Sequence, residues 1–131
     1  MVNVILVEES LSESALACIA IALRRPSARV TEARNLAEAK KVLGELPGGK
    51  ALVILGWRAL RDGLDAFVAA ATGATVIGFA GDLGESRERA LRAGVRAIYD
   101  KPVEWSEYLG AMEAILGEWL AAPAGARTSS A

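Results

Sequence analysis

The chain has 131 residues, of which 53% are hydrophobic and 24% charged, a balance typical of one globular domain and not of a disordered segment. Its 15 basic and 16 acidic residues nearly cancel, so there is no electrostatic reason to expect binding to nucleic acid or to an anionic membrane. Histidine is absent and the single cysteine, Cys18, lies in an apolar run where a buried core residue is expected. Without the commonest general base and nucleophile, we do not expect an enzyme.

The N-terminal segment has none of the features of a targeting sequence. It lacks a basic start, and its apolar run ends in two acids, Glu8 and Glu9, which is unlike a signal peptide. No apolar stretch reaches the roughly 18 residues that a membrane span requires. We therefore expect a cytoplasmic protein.

Short apolar runs alternate with helical patterns through the first half of the chain. Ser10 with Glu13, and Asn35 with Glu38, have the spacing of a capping box and mark the starts of two helices. The apolar runs are of strand length, and one that is polar at alternate positions is typical of an edge strand. The predicted elements are a strand at 2–7, a helix at 11–24, an edge strand at 28–33, a helix at 36–46 and a strand at 51–55.

The second half continues this alternation. Gly94 follows a helical pattern and is a residue type that often ends helices in the left-handed conformation. The small and polar residues 122–131 predict a flexible tail after a single domain at 1–121. The predicted elements are a helix at 64–71, a strand at 75–79, a helix at 85–93, a strand at 95–99 and a final helix at 103–121.

Strands that alternate with helices in this way predict an α/β fold, with a parallel sheet covered by helices on both faces. In such sheets the functional residues gather at the carboxyl ends of the strands, near the point where the strand order reverses. The residues of interest are therefore those that follow Val7, Leu55, Phe79 and Tyr99.

Two segments at these strand ends carry a family resemblance. Residues 5–10 (Ile-Leu-Val-Glu-Glu-Ser) and residues 93–102 (Ala-Gly-Val-Arg-Ala-Ile-Tyr-Asp-Lys-Pro) are similar to the corresponding parts of response-regulator receiver domains. The resemblance extends over about residues 2–120. It implies a flavodoxin-like, doubly wound (βα)5 fold with the strand order 2-1-3-4-5.

The resemblance also implies which residues form the phosphorylation pocket. In that family an acidic pair after the first strand binds Mg²⁺, an aspartate after the third strand accepts the phosphoryl group, and a lysine after the fifth contacts the phosphoryl oxygens. The acidic pair falls on Glu8 and Glu9, and the lysine falls on Lys101. The acceptor position falls on Gly56, so the pocket lacks the nucleophile and one metal-ligand oxygen.

Two further positions depart from the family pattern. Ala80 stands where the family has a hydroxyl residue after the fourth strand, and Ile98 stands in place of the switch aromatic. Tyr99 is one residue out of step, which places it on the opposite face of a strand. The resemblance also implies a cis peptide before Pro102, with a trans turn as the alternative. Loss of acceptor, relay and readout together predicts a signalling domain that works without phosphorylation.

The empty acceptor position leaves room for a neighbouring carboxylate. Glutamate is one methylene longer than aspartate, so Glu8 or Glu9 reaches about 1.5 Å further into the space beside Gly56. We expect an internal ion pair with Lys101, or secondly with Arg58, in place of a metal ion. The alternative is that both glutamates are solvated at the start of a loop. No cofactor is expected, and only a weak divalent-ion site at the two glutamates.

Aromatic residues near the C-terminal end indicate a surface for protein partners. The apolar arc of the final helix is wider than one packed face requires, and the resemblance implies that dimers and partners bind around the fourth helix, fifth strand and fifth helix. We expect protein partners, including a homodimer through the final helix region, and neither nucleic acid nor membrane binding by this domain alone. The candidate residues, which alternatively only pack the core, are Tyr99, Trp105, Tyr108 and Trp119.

Three other interpretations are weaker. The run Ala15–Leu23 is apolar throughout, but exposed alanines in a helix cost little and an interface there is not expected. Asp62 or Asp65 would be a displaced phosphoacceptor, six and nine residues beyond Gly56. A flavodoxin-like nucleotide binder needs a first loop that presents N–H groups to phosphate, whereas this loop begins with two carboxylates.

Overall fold

The computed structural model describes residues 2–120 of the chain, so the predicted tail at 122–131 lies outside the described residues. Strands and helices alternate, as the sequence predicts. The strands are β1 (Asn3–Val7), β2 (Arg29–Ala33), β3 (Leu52–Leu55), β4 (Thr75–Ala80) and β5 (Ile98–Asp100). The helices are α1 (Leu11–Arg24), α2 (Leu36–Gly44), α3 (Leu64–Ala70), α4 (Glu85–Ala93) and α5 (Trp105–Trp119), with a short 3-10 turn at Pro47–Gly49.

The five strands form one parallel sheet in the order β2-β1-β3-β4-β5. This confirms the predicted flavodoxin-like topology and its point of strand-order reversal between β1 and β3. The register pairs Val7 with Leu55, and the Gly56 amide donates to the Val7 carbonyl at 2.9 Å. The residues that follow β1 and β3 are therefore adjacent at the carboxyl edge of the sheet.

Alternate side chains of the strands build two hydrophobic layers, one on each face of the sheet. On one face Ile5, Val7, Val53 and Leu55 pack with Phe67 and other apolar residues of the α2, α3 and α4 side. On the other face Val4, Leu6 and Ile54 pack with buried residues of α1 and α5. Burial on both faces explains why the central strands are continuous apolar runs in the sequence.

The predicted helix starts are confirmed, but neither capping box forms the reciprocal bond from the glutamate to the N-cap amide. Ser10 Oγ accepts from the Glu13 amide at 3.3 Å, and Asn35 Oδ1 accepts from the Glu38 amide at 2.9 Å. The Glu38 carboxylate accepts from the Arg34 amide at 2.9 Å. The Glu13 carboxylate instead binds a lysine elsewhere in the fold, which matters for the site described below.

The fifth strand is shorter than predicted and begins later. We expected it at 95–99, whereas β5 covers Ile98–Asp100. The Val95 amide donates to the Ala90 carbonyl at 3.2 Å, so residue 95 still belongs to the turn that ends α4, where Gly94 has φ +114°. The final helix also begins later, at Trp105, because Glu104 is its N-cap.

The expected cis peptide before Pro102 is wrong. No peptide bond between described residues is cis, so the Lys101-Pro102 bond is trans. The trans form is the intrinsically favoured state of such bonds, by about 0.5–1 kcal/mol. In residues 2–120, no helix is both long and apolar enough to cross a membrane.

Candidate functional site

The residues singled out at the strand ends meet in one crevice at the carboxyl edge of the sheet. Glu8 and Glu9 follow β1, Gly56 follows β3, and Lys101 follows β5. A cavity of about 770 Å³ opens beside them, between the start of α2 and the loop that joins β3 to α3. Its walls include Glu8, Glu9, Gly56, Arg58 and Asp62.

Glu8 occupies the space that a side chain at position 56 would need. A Cβ built on Gly56 would overlap Glu8 Oε1 and lie only 3.1 Å from Glu8 Cδ and 3.2 Å from the Val7 carbonyl. The Glu8 side chain is only 15% exposed, and its other oxygen accepts from the Ser10 amide at 2.9 Å. The carboxylate is therefore held inside the crevice, directly over the glycine.

Lys101 is bound by two carboxylates of the same chain. Its Nζ lies 2.7 Å from Glu13 Oε1 and 3.8 Å from Glu8 Oε1. The Lys101 side chain is 18% exposed, and its ammonium lies 5.7 Å from the centre of the Phe79 ring. Because an ion pair shielded from water is stronger than an exposed one, these contacts fix the lysine at the mouth of the crevice.

Glu13 is the site residue that sequence reasoning missed. The spacing from Ser10 to Glu13 indicates a capping box, and that interpretation assigned the glutamate side chain to the helix start. Its carboxylate instead turns toward the sheet edge and binds Lys101. The sequence feature that could have identified Glu13 as a site residue is its position in the first turn of α1, directly after the loop that carries Glu8 and Glu9.

Arg58, the second candidate partner for a glutamate of the crevice, pairs with Glu9 and not with Glu8. Arg58 Nε lies 2.5 Å from Glu9 Oε2, and both side chains are more than half exposed. An exposed pair of this kind contributes little to stability, about 0–1 kcal/mol. The two glutamates thus have different partners, Glu8 inside the crevice and Glu9 at its rim.

The crevice does not fit the Mg²⁺ ion that the family resemblance implies. Mg²⁺ requires several oxygen ligands in near-octahedral geometry. Here Glu8 lies toward Lys101, Glu9 is paired with Arg58, and Gly56 supplies no side-chain oxygen. Within residues 2–120, no three acidic, cysteine or histidine side chains converge on a point where they would hold a metal ion.

The residues at the family's hydroxyl and switch-aromatic positions are buried in the core. Ala80 and Ile98 belong to the layer under α2, α3 and α4. Tyr99 lies on the opposite face with α5, as its register requires. The Trp119 indole donates to the Tyr99 hydroxyl at 2.6 Å, and that hydroxyl donates to Glu118. Burial, together with the bond to Glu118, raises the pKa of Tyr99.

The proposed interface aromatics differ in exposure. Trp105 is 39% exposed, and Tyr99 and Trp119 are half-buried. The expectation that Tyr108 would be partly exposed is wrong, since it is only 4% exposed. Its ring packs edge-on against Phe79 at 5.2 Å and is stacked under Trp105 at 5.4 Å, and burial raises its pKa. Tyr108 therefore supports Trp105 from below and is not itself a surface residue.

Comparison with known proteins identifies the architecture. No protein-family model and no curated protein sequence matches the chain. A response regulator from Hahella chejuensis superposes with a TM-score of 0.77 at 17% identity, covering 92% of this chain and 96% of that one. The phosphorylated cyanobacterial phytochrome response regulator RcpA gives a TM-score of 0.72 at 17% identity, covering 91% and 94%. The chain has the receiver fold.

The receiver fold also occurs among structures with other assignments. A Sinorhizobium meliloti protein assigned as CpaE2, a pilus assembly protein, is 25% identical with a TM-score of 0.57, covering 84% of this chain and 96% of its own. Gly56, Ala80 and Ile98 stand at three of the positions to which the resemblance assigns acceptor, relay and readout.

Proposed function

We propose that this chain is a phosphorylation-independent, receiver-like signalling domain that acts through protein–protein contact in a two-component-type pathway. Binding, not catalysis, is its activity, and a cytoplasmic location is part of the same proposal. The observation that carries it is the position of the Glu8 carboxylate, which fills the space over Gly56 where an acceptor side chain would stand.

The charges of the crevice support a single resting conformation. The ammonium of Lys101, to which the resemblance assigns the phosphoryl oxygens, is neutralised within the chain by Glu13 and Glu8. Because two carboxylates hold the lysine, its ammonium is not free to bind an incoming phosphoryl group, and a carboxylate inside the crevice repels one. The domain would thus present the same binding surface to its partner in the presence and absence of a phosphoryl donor.

Trp105 at the start of α5 is the proposed contact for a protein partner. It is partly exposed, and its neighbour Val103 is fully exposed. Its indole lies over the buried ring of Tyr108, which holds it in place and lowers the entropy lost on binding. Aromatic side chains held in this way are frequent binding hot spots. The partner is another protein or, as the sequence suggests, a second copy through the final helix region.

Treatment with acetyl phosphate and Mg²⁺ followed by intact-mass measurement tests the phosphorylation claim. The full chain is expected to keep its mass under conditions in which a phosphorylatable receiver domain gains a phosphoryl group. Titration with Mg²⁺ alone, followed by the fluorescence of Trp57 beside the crevice, is expected to show no saturation in the millimolar range. A stable phosphoryl adduct, or millimolar Mg²⁺ affinity, would contradict the proposal.

Asp62 is the second candidate, because it is exposed and lines the same cavity as Glu8, Glu9 and Gly56. Asp65 is less well placed, in the first turn of α3. If the wild type did gain a phosphoryl group, the Asp62→Asn and Asp65→Asn variants would show which aspartate accepts it. Loss of the adduct in Asp62→Asn, but not in Asp65→Asn, would establish phosphorylation at a displaced acid.

The partner surface is tested by comparing tagged wild type with Trp105→Ala in pull-downs from the source cell. Trp57→Ala is the matched control, since Trp57 is 42% exposed and Trp105 39%. We expect a partner that is retained by the wild type and Trp57→Ala, lost with Trp105→Ala, and unchanged by acetyl phosphate. Equal retention by all three proteins would remove Trp105 from the proposal.

A further inference from the structure

The outer face of α1 is an exposed apolar surface without charge. Its large side chains are exposed by 72% at Leu11, 39% at Leu16, 51% at Ile19 and 60% at Leu23. Ala15 and Ala22 are exposed between them, and Ser12 is the one polar residue on this face. At about 100° per residue, these seven positions span an arc of roughly 140° of the helix. We call this surface the outer α1 face.

Such a surface is unusual for an isolated domain. Four of the eight large hydrophobic residues that are exposed in residues 2–120 lie on this one helix. The opposite side of α1 buries Ser14, Ala17, Ala20 and Ile21 in the domain, so the helix needs no outer apolar face to fold. Contiguous exposed apolar patches of this kind mark interaction sites.

The segment that follows α5 does not have the side chains to cover this face. Residues 121–131 contain only Ala, Pro, Gly, Arg, Thr and Ser. Burying four large aliphatic side chains requires a partner surface with apolar groups of similar size. The tail at 121–131 is therefore not the occupant.

The midpoint of the outer α1 face lies at the level of Ala17 along the helix. Leu11 and Leu23 lie six residues to either side of this level, and the small Ala15 and the large Ile19 lie two residues to either side. Two copies of α1 that pack antiparallel, with their two-fold axis crossing the outer face at the level of Ala17, would place Leu11 of each copy beside Leu23 of the other. An isologous contact needs this self-complementarity.

The charges at the two ends of α1 favour the same antiparallel arrangement. At the Leu11 end, Glu8, Glu9 and Glu13 outnumber their partners Lys101 and Arg58, which leaves a net negative charge. At the Leu23 end, Arg24, Arg25 and Arg29 outnumber Glu113, the partner of Arg24, which leaves a net positive charge. An antiparallel pair brings the acidic end of one helix to the basic end of the other, and a parallel pair would bring like charges together. The helix dipoles are also opposed in the antiparallel pair.

We propose that a second copy of this chain docks on the outer α1 face, with the two α1 helices antiparallel. From Leu11 to Leu23 the helix rises about 18 Å, so a contact confined to this face is small for a specific interface. We therefore expect a weak dimer whose population depends on protein concentration. This inference goes beyond the proposed function, since the contact includes neither Gly56 nor Trp105, although Leu11 also lines the crevice.

Sedimentation equilibrium of the full chain tests self-association. The wild type is expected to be dimeric at about 100 μM, and Ile19→Glu is expected to be monomeric because it places a charge in the middle of the contact. Leu91→Glu is the matched control, since Leu91 is 43% exposed but lies on α4, and it should remain dimeric. Circular dichroism verifies that all variants are folded. A monomeric wild type, or a dimeric Ile19→Glu, overturns the proposal.

Charge pairing tests the antiparallel arrangement. Leu11→Glu alone and Leu23→Arg alone should each weaken the dimer. The double variant should recover at least about tenfold in dissociation constant over either single variant, because each new carboxylate then faces a new guanidinium in the other copy. No recovery in the double variant excludes antiparallel pairing. If Trp105→Ala dissociates the dimer and Ile19→Glu does not, the two copies associate through α5 and the present inference is wrong.

Discussion

Gly56 leaves this crevice without an acceptor side chain. Its neighbour Glu8 fills the space that a side chain at position 56 would occupy. The Glu8 carboxylate lies where a Cβ of residue 56 would stand, and the Val7 carbonyl closes the other side. The loss of the acceptor and the longer acid after β1 are therefore one coupled change. A side chain at position 56 requires that Glu8 move.

Gly56→Ala tests this coupling. We expect the added methyl to destabilise the fold by about 1–3 kcal/mol, as is typical of overpacking, measured as the free energy of unfolding in urea. Gly110→Ala is the control, because a Cβ there meets nothing within 4 Å, and alanine favours a helix interior by up to about 1 kcal/mol. Glu8→Asp should relieve part of the loss, since the shorter acid withdraws from the glycine. Equal stability of Gly56→Ala and the wild type would contradict the coupling.

Lys101 and Glu13 should show a measurable coupling energy. Their atoms are 2.7 Å apart and the lysine is largely buried, so we expect about 1–2 kcal/mol from a double-mutant cycle with Lys101→Met and Glu13→Gln. The exposed pair of Arg92 with Glu88, one helical turn apart, is the comparison and should give about 0.3–0.5 kcal/mol. A Lys101–Glu13 coupling no larger than that of the exposed pair would show that the crevice is not held by this contact.

At the scale of elements, capping residues and chain breakers made the fold predictable. The predicted limits of α1 and α4 agree with the structure, since Ser10 begins one and Gly94 ends the other. The sequence did not show that the Glu13 side chain leaves its helix cap for Lys101, because that partner is 88 residues away. Helical periodicity likewise did not show that Tyr108 is buried, because its burial depends on packing against Phe79 and Trp105.

The N-cap of α5 gives a pH-dependent prediction. Hydrogen bonds from the Ser106 side chain and from the Glu107 amide lower the pKa of Glu104. A carboxyl whose pKa is lower in the folded state stabilises the fold above its unfolded pKa, and this contribution is lost as the pH falls through the folded value. The melting temperature of Glu104→Gln should therefore lie below that of wild type at neutral pH and approach it as the pH falls below the unfolded carboxyl pKa of about 4.3. Glu104→Asp keeps a charged cap and should preserve the pH dependence. A constant difference at all pH values would contradict the assignment.

At the scale of the whole molecule, the acceptor crevice and the binding surfaces are separable. The crevice lies at the carboxyl edge of the sheet, and Ala80 and Ile98 lie buried beside it in the core layer under α2, α3 and α4. Trp105 and the outer α1 face lie on the other side of the sheet, where α1 and α5 pack together. With an alanine and an isoleucine at the relay positions, the family's hydroxyl and switch aromatic are missing, and the aromatic contacts that remain run from Lys101 through Phe79 and Tyr108 to Trp105. An aspartate restored at position 56 should therefore accept a phosphoryl group without changing the binding surfaces.

The double variant Glu8→Asp/Gly56→Asp tests this separation. Shortening residue 8 vacates the space over position 56, so the double variant should be more stable than Gly56→Asp alone, in which two carboxylates and a steric overlap coincide. We expect saturable Mg²⁺ binding and a phosphoryl adduct with acetyl phosphate in the double variant only, detected by Trp57 fluorescence and intact mass. Self-association and Trp105-dependent binding should be the same before and after phosphorylation, because Ala80 and Ile98 cannot relay the change. A phosphorylation-dependent shift in either would show that the fold transmits a signal without the usual relay residues.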